Sequence, residues 1–147
     1  MAEKAQYEEL KSQLSAVGSV TRWLMRGLPV GLSRSSAAVL EVLHRHGDLR
    51  VGELTELLGV DASAASRYVT QAVARGWIER SLDPTDRRSR ILSLTPAGRD
   101  QLDEMSERLT HVLAERLRDW SDEDVTGLTD LMARLRSSFD DQRTGVW

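Results

Sequence analysis

Cysteine is absent from the 147 residues, which excludes a disulfide, a thiolate metal site and a switch built on cysteine oxidation. No apolar run approaches the roughly 20 residues needed to cross a bilayer, so no membrane partner is expected. No signal-peptide pattern opens the chain either, and the cytoplasm is the expected location. The usual marks of catalysis are missing as well. There is no G-x-S-x-G, no glycine-rich phosphate loop, no H-E-x-x-H and no catalytic thiol, and nothing arranges serine, histidine and aspartate as a triad. An enzyme is not expected, nor is a cofactor. His44, His46 and Asp48 form H-x-H-x-D, but residues two apart on a helix do not face one another, so no metal site is expected there.

What is present is an ordinary soluble composition, 40% hydrophobic and 29% charged, at a length suited to one domain or a small domain with helical extensions. The net charge of −3 at first argues against a polyanionic partner. Its distribution softens that objection. Residues 61–92 carry six arginines against four acids, a local excess of +2 that leaves −5 on the remainder. Local potential at a contact face, rather than net charge, governs binding to nucleic acid.

The most informative stretch is residues 77–98, WIERSLDPTDRRSRILSLTPAG. Two apolar pieces, Trp77 with Ile78 and then Ile91 to Leu94, flank a polar loop bearing Asp83, Asp86, Arg87, Arg88 and Arg90. Leu92 and Leu94 stand two apart, which puts both on one face of a strand. The spacing predicts a β-hairpin with a protruding basic tip, and Thr95-Pro96 supplies a cap and a first-turn proline for a helix starting where the hairpin ends. Before it, Leu54, Leu57 and Leu58 recur at helical spacing and Gly59 can end that helix. Asp61 then caps a second helix that stops at Gly76. Two helices across a tight turn, the second with small polar residues near its start, make a helix-turn-helix. On it, Ser63, Ala64 and Ala65 would let the backbone approach base edges, while Ser66, Arg67, Thr70 and Gln71 can hydrogen-bond in a major groove.

The patterns V-D-A-S-A-A-S-R, G-W-I-E-R, D-P-T-D-R-R and L-S-L-T-P-A-G together resemble the MarR family of winged helix-turn-helix transcriptional regulators. The resemblance covers nearly the whole chain, and its specific part is the D-x-R wing tip followed by L-T-x-x-G. The chain departs from the family pattern at Ala72 and Val73, where a leucine and an acidic residue are expected. The resemblance implies double-stranded operator DNA as partner. It also implies a minor-groove arginine at the wing, with Arg88 favoured over Arg87 by the D-x-R spacing and Asp86 orienting it. The bland alternative is that Asp86 merely closes a turn while both arginines stay in solvent. Arg67 is assigned to a guanine or a phosphate rather than to open surface, and Arg90 joins the basic tip.

Around this core the chain reads as helical. Tyr7, Leu10, Leu14, Val17, Thr21 and Leu24 form a heptad-like stripe that Gly27, Pro29 and Gly31 break. Ser33 can cap the next helix, and residues 49–51 can add a strand to the hairpin. After Pro96, Leu102, Met105, Leu109, Val112 and Leu113 make one stripe. Past a start signal at Ser121, Val125, Leu128, Met132, Leu135 and Phe139 make another. These stripes exceed what a small core can cover. Each leucine buried contributes about 1.5–3 kcal/mol, which favours packing against a second copy over packing within one chain.

The expected fold is therefore mainly α with a small β-hairpin wing. Residues 1–31 form an N-terminal dimerisation helix, 32–95 a winged helix-turn-helix DNA-binding domain, and 96–147 C-terminal dimerisation helices. Leu10, Leu14, Val17, Leu109, Leu113, Leu128, Met132 and Leu135 are the expected interface. The expected function is that of a homodimeric repressor, and the resemblance implies its release by a small aromatic or amphipathic effector. Trp23 is a candidate lining residue for the effector, with an ordinary core role as the alternative. The competing class is a winged-helix module that uses its wing on a partner protein. Residues 144–147 are expected to be loosely ordered, with Trp147 able to dock.

Overall fold

Asp61 and Ser33 show how the chain starts its helices. Each sits in extended backbone and accepts a hydrogen bond from the N–H three residues on, Asp61 from Ala64 at 2.7 Å and Ser33 from Ser36 at 3.1 Å. The computed structural model describes residues 1–29 and 31–140; Trp147 and its neighbours from 144 lie outside them. The chain is mainly helical: α1 (Lys4–Leu24), α2 (Arg34–His46), β1 (Leu49–Arg50), α3 (Val51–Leu58), α4 (Ala62–Ala74), β2 (Ile78–Leu82), β3 (Arg90–Leu94), α5 (Pro96–Arg116) and α6 (Asp122–Asp140). A single 3-10 turn, Met25–Gly27, follows α1. The chain divides into two compact units, Met1–His111 and Val112–Trp147.

In the first unit, α3 and α4 form the helix-turn-helix. Gly59 ends α3 in the left-handed region at φ 66°, where its amide reaches Thr55 and Glu56 carbonyls. A side chain there would strain the turn, so glycine is what lets the Asp61 cap of α4 follow two residues later. The sheet is antiparallel in the order β1-β3-β2, with Leu49 opposite Leu92 and Ile78 opposite Leu94. The hairpin strands reach further into the polar segment than the apolar pattern indicated, to Leu82 and from Arg90, because ladder pairing continues past the last buried side chain. Leu92 is fully buried and Leu94 packs partly on the same core, as their spacing requires. Val51 opens α3 instead of extending β1.

The core joins Val39, Leu40, Leu54, Val69, Ile78 and Leu92, all essentially inaccessible to solvent. It does not stop at Thr95. Leu102 and Met105 are buried in it and Leu109 packs partly against it, so the start of α5 completes the winged-helix module. Thr95 explains the junction. Its hydroxyl accepts from the Gly98 N–H at 3.1 Å and donates to the Gly76 carbonyl, while its amide donates to the Trp77 carbonyl at 3.0 Å.

Candidate nucleic-acid interface

The helical period sorts the residues of α4 into two faces. Ala65, Val69 and Ala72 have no exposure and Ala64 is buried, whereas Ser63, Ser66, Arg67, Thr70 and Gln71 face outward. Ala64, expected at the groove, is thus turned inward with Ala65. Their small side chains allow α4 to lie close to the core rather than close to a ligand. Ala72, where the family pattern has a leucine, is accommodated in the same buried row.

The outward residues differ in what they have left to offer. The Ser63 hydroxyl donates to Asp61 at 2.6 Å and belongs to the helix cap. The Thr70 hydroxyl donates to the Ser66 carbonyl at 2.9 Å and accepts from Arg80 Nη2 at 3.2 Å. Arg67 lies with its guanidinium 5.4 Å from the centroid of the Tyr68 ring. Among the described residues no hydrogen bond engages the side chains of Ser66 or Gln71, so these two and Arg67 carry the uncommitted polar groups of the face.

The wing tip, residues 83–89, is built by two aspartates. Asp86 accepts from the Arg88 N–H at 3.0 Å and from the Ser89 hydroxyl at 3.2 Å, and its carbonyl accepts from the Ser89 N–H at 3.0 Å. Asp86 therefore orients Arg88 through the backbone and not by gripping its guanidinium. Arg90 turns back, its Nη1 directed at the Arg87 carbonyl at 3.4 Å. Among the described residues no hydrogen bond or ion pair engages the guanidinium of Arg87 or Arg88, and both residues are exposed. Two fixed-charge forks thus stand at the end of a closed turn.

Two arginines outside the expected set enter here. Arg80, on β2, ties the wing stem to Thr70 of α4. Arg50, at the end of β1, pairs with the buried Asp83 carboxylate. Strand register in the assembled sheet puts them beside their partners, and no periodicity in the sequence signals that. Trp23 is about two-fifths exposed on α1. A shallow cleft of about 270 Å³ lies between α2 and α5, lined by Glu41, His44, Arg99 and Asp103. Among the described residues no group of three or more His, Asp or Glu is placed to hold a metal ion, and no helix is long and apolar enough to cross a membrane.

Asp61 and Asp83 both hold their protons less tightly than ordinary aspartates. At Asp61 the Ser63 hydroxyl and the Ala64 N–H are responsible, with the Arg67 charge adding to them. At Asp83 the N–H and hydroxyl of Thr85 lead, followed by Arg50. A lowered folded-state value means that the carboxylate's contribution is complete above the ordinary aspartate range and is lost as the pH falls through the folded-state value. The difference in melting temperature between the parent and Asp61→Ala is thus expected to be widest near neutrality and to narrow in acid. A difference independent of pH, in thermal melts over a pH series, would remove the charge from the account.

Comparison with known proteins agrees with this geometry. A family model described as "MarR family" matches residues 30–89. The chain is 30% identical over 110 residues to YxaD of Bacillus subtilis, an HTH-type transcriptional regulator, covering 75% of this chain and 77% of that one. It is 26% identical over 109 residues to YdgJ of the same organism, covering 74% of this chain and 66% of YdgJ, just under two thirds of its length. The fold matches that of a mutant MarR from E. coli crystallised with operator DNA, with a TM-score of 0.69 at 22% identity over 92% of this chain and 99% of that one. With the helix-turn-helix, the wing and these likenesses in hand, the chain belongs to the MarR family of DNA-binding winged-helix transcriptional regulators.

Proposed function

We propose that the protein is a homodimeric, cytoplasmic repressor that reads a pseudo-palindromic operator, with α4 in the major groove and the wing in the flanking minor groove. The observation that carries this reading is the pairing of an outward α4 face bearing Ser66, Arg67 and Gln71 with a closed wing tip presenting Arg87 and Arg88. Ser63 and Thr70 would then act mainly in holding that face, Arg80 and Arg90 in shaping the wing. An acidic body leaves the contact face locally basic, which suits a polyanionic partner. Operator DNA as the ligand is supported by the family and by the fold shared with the E. coli complex.

Homodimerisation rests on the flanking helices. No residue of α1 is buried, and Leu10, Leu14, Val17, Leu113, Leu128 and Met132 each keep about two-fifths to one half of their surface exposed. Such stripes are unfavourable in water, and a second copy would cover them. Leu135 is half-buried already. Leu109, grouped with this interface from its spacing, packs partly on the winged-helix core, so it serves the protomer as well. In this reading residues 1–31 and 96–147 supply the dimerisation helices and 32–95 the winged-helix DNA-binding domain, to which the start of α5 also contributes. A small aromatic or amphipathic effector would release DNA by binding better to the geometry in which the two α4 helices miss their grooves, with Trp23 a lining candidate.

Selection of bound sites from random duplex DNA tests the whole reading. An imperfect palindrome is expected, its half-sites about one turn, roughly 34 Å, apart. A selection returning no preference, or one asymmetric half-site, would overturn it. On the selected duplex Arg67→Ala is expected to lose about 1–3 kcal/mol and to relax discrimination at one base position per half-site. Arg88→Ala is expected to weaken binding most where the flank is narrow and A·T-rich, and to make the salt dependence shallower. If Arg88→Ala bound every such duplex as tightly as the parent, a wing directed at a partner protein would become the better account.

A further inference from the structure

Within an exposed hairpin tip, one side chain is almost wholly withdrawn from water: Asp83, at 4% exposure. Its Oδ1 accepts from the Thr85 N–H at 2.9 Å and from the Thr85 hydroxyl at 2.8 Å. That much is a local turn, and it would be complete without help from elsewhere. The second oxygen breaks the pattern. Asp83 Oδ2 pairs with Nη2 of Arg50, and the same Nη2 also donates to the Thr85 hydroxyl at 3.3 Å. Arg50 comes from a distant part of the sequence, and its own placement is tightly held. Its backbone pairs with Ile91 in the sheet, and its N–H donates to the Glu53 carboxylate at 3.0 Å in the first turn of α3.

These contacts join the wing tip directly to the start of the helix-turn-helix. A hairpin anchored only at its base can swing as a lever, and small rotations at the stem become large displacements at Arg87 and Arg88. The Arg50 Nη2 contacts restrict that freedom by holding the loop at Asp83 and further out at Thr85. A buried carboxylate oxygen left without its partner is costly, so the tie is also not easily exchanged for a water-exposed arrangement. None of the three residues lies in the apolar core, so the tie contributes to the position of the wing more than to the cohesion of the domain.

We propose that Arg50, acting through Asp83 and Thr85, is a positioning residue that sets the wing relative to the helix-turn-helix, and so couples minor-groove to major-groove recognition. It rests on the DNA reading above. Arg50 touches neither groove in this account. It determines where Arg88 can reach when α4 is in place.

The test uses the full-length protein and the duplex that the parent selects from random DNA. Arg50→Ala is expected to weaken binding to that duplex by about tenfold and to blunt discrimination between A·T-rich and G·C-rich flanks. The same substitution made in the Arg88→Ala background is expected to cost little more, because the arginine it positions is gone. Arg50→Lys is expected to recover part of the loss, since one ammonium group can replace the single Nη2 that meets Asp83 and Thr85 but sits at the end of a shorter, more flexible stem. Asp83→Asn is expected to follow Arg50→Ala. Amide exchange on the free protein gives a readout independent of DNA: the N–H groups of Thr85, Arg88 and Ser89 should exchange faster in Arg50→Ala, while that of Val69 in α4 is unchanged. Parental affinity in Arg50→Ala, or losses from Arg50→Ala and Arg88→Ala that simply multiply, would overturn the proposal. Unchanged exchange at the tip would overturn it too. A parent that selects no duplex would instead overturn the DNA reading, and tip exchange would still decide whether Arg50 holds the wing.

Discussion

Leu128→Asp is expected to turn the protein into monomers in sedimentation and to lower affinity for the selected palindrome by about 10²–10⁴-fold, the range that bivalency supplies when two sites are engaged at once. The substitution is chosen because none of the described side chains of α6 is buried and Leu128 is 42% exposed. A carboxylate there leaves the protomer's core untouched. In the proposed homodimer, however, the change occurs once in each copy, and a carboxylate desolvated in an apolar contact has no partner. Leu14→Asp on α1, at 46% exposure, is expected to act in the same direction. Far-ultraviolet circular dichroism and the amide exchange of Val69 should remain those of a folded winged helix. A stable dimer with parental DNA affinity in both variants would move the interface away from these stripes.

Gly98→Ala is expected to carry the largest cost to the fold. A Cβ at residue 98 would stand 2.2 Å from the Trp77 carbonyl oxygen and 3.1 Å from its carbon, with Leu94 Cδ2 at 3.2 Å. The obstacle is backbone, and it cannot move aside easily. The Trp77 carbonyl already accepts from the Thr95 N–H, and the Thr95 hydroxyl is bonded to both Gly76 and Gly98. To admit one methyl group, α5 must lift from the end of β3 and pull Leu102 and Met105 out of register with the core. Overpacking of this kind typically costs about 1–3 kcal/mol, and a contact this short against bonded backbone belongs at the upper end. The melting temperature should fall by about 2–4 °C per kcal/mol for a chain of this size, measured at fixed protein concentration because the transition of the proposed dimer would depend on it. A parental melting temperature would mean that α5 docks more loosely than Gly98 implies.

That glycine also shows how far the sequence could be read. L-T-P-A-G announced a capped helix after a strand, and Thr95 does cap α5. Nothing local announced that Gly98 must be bare because Trp77 lies against it, since that requirement belongs to a residue on the far side of the hairpin. The faces of α4 followed a similar course. The helix, its Asp61 cap and its end near Gly76 were legible from spacing and capping chemistry. The assignment of Ala64 to the groove was not sustained, because small size marks close approach without saying to what. Arg80 and Arg50 carried no signal, since an arginine in a strand is read as solvated until the sheet register supplies its partner.

By itself the sequence determined the local events: helix starts at Ser33, Asp61, Thr95 and Ser121, the stop at Gly59, the two-residue alternation of Leu92 and Leu94, and the apolar stripes of the outer helices. These depend on capping, backbone freedom and side-chain period, which act over a few residues. The tertiary structure decided which side of α4 is buried, that the core extends into α5, and that a wing tip is fastened to the residue preceding α3. Those outcomes depend on which distant groups meet once the sheet is paired. The Asp83 carboxylate is held by the local N–H and hydroxyl of Thr85, but its second oxygen meets a counter-charge only because the fold brings Arg50 to it.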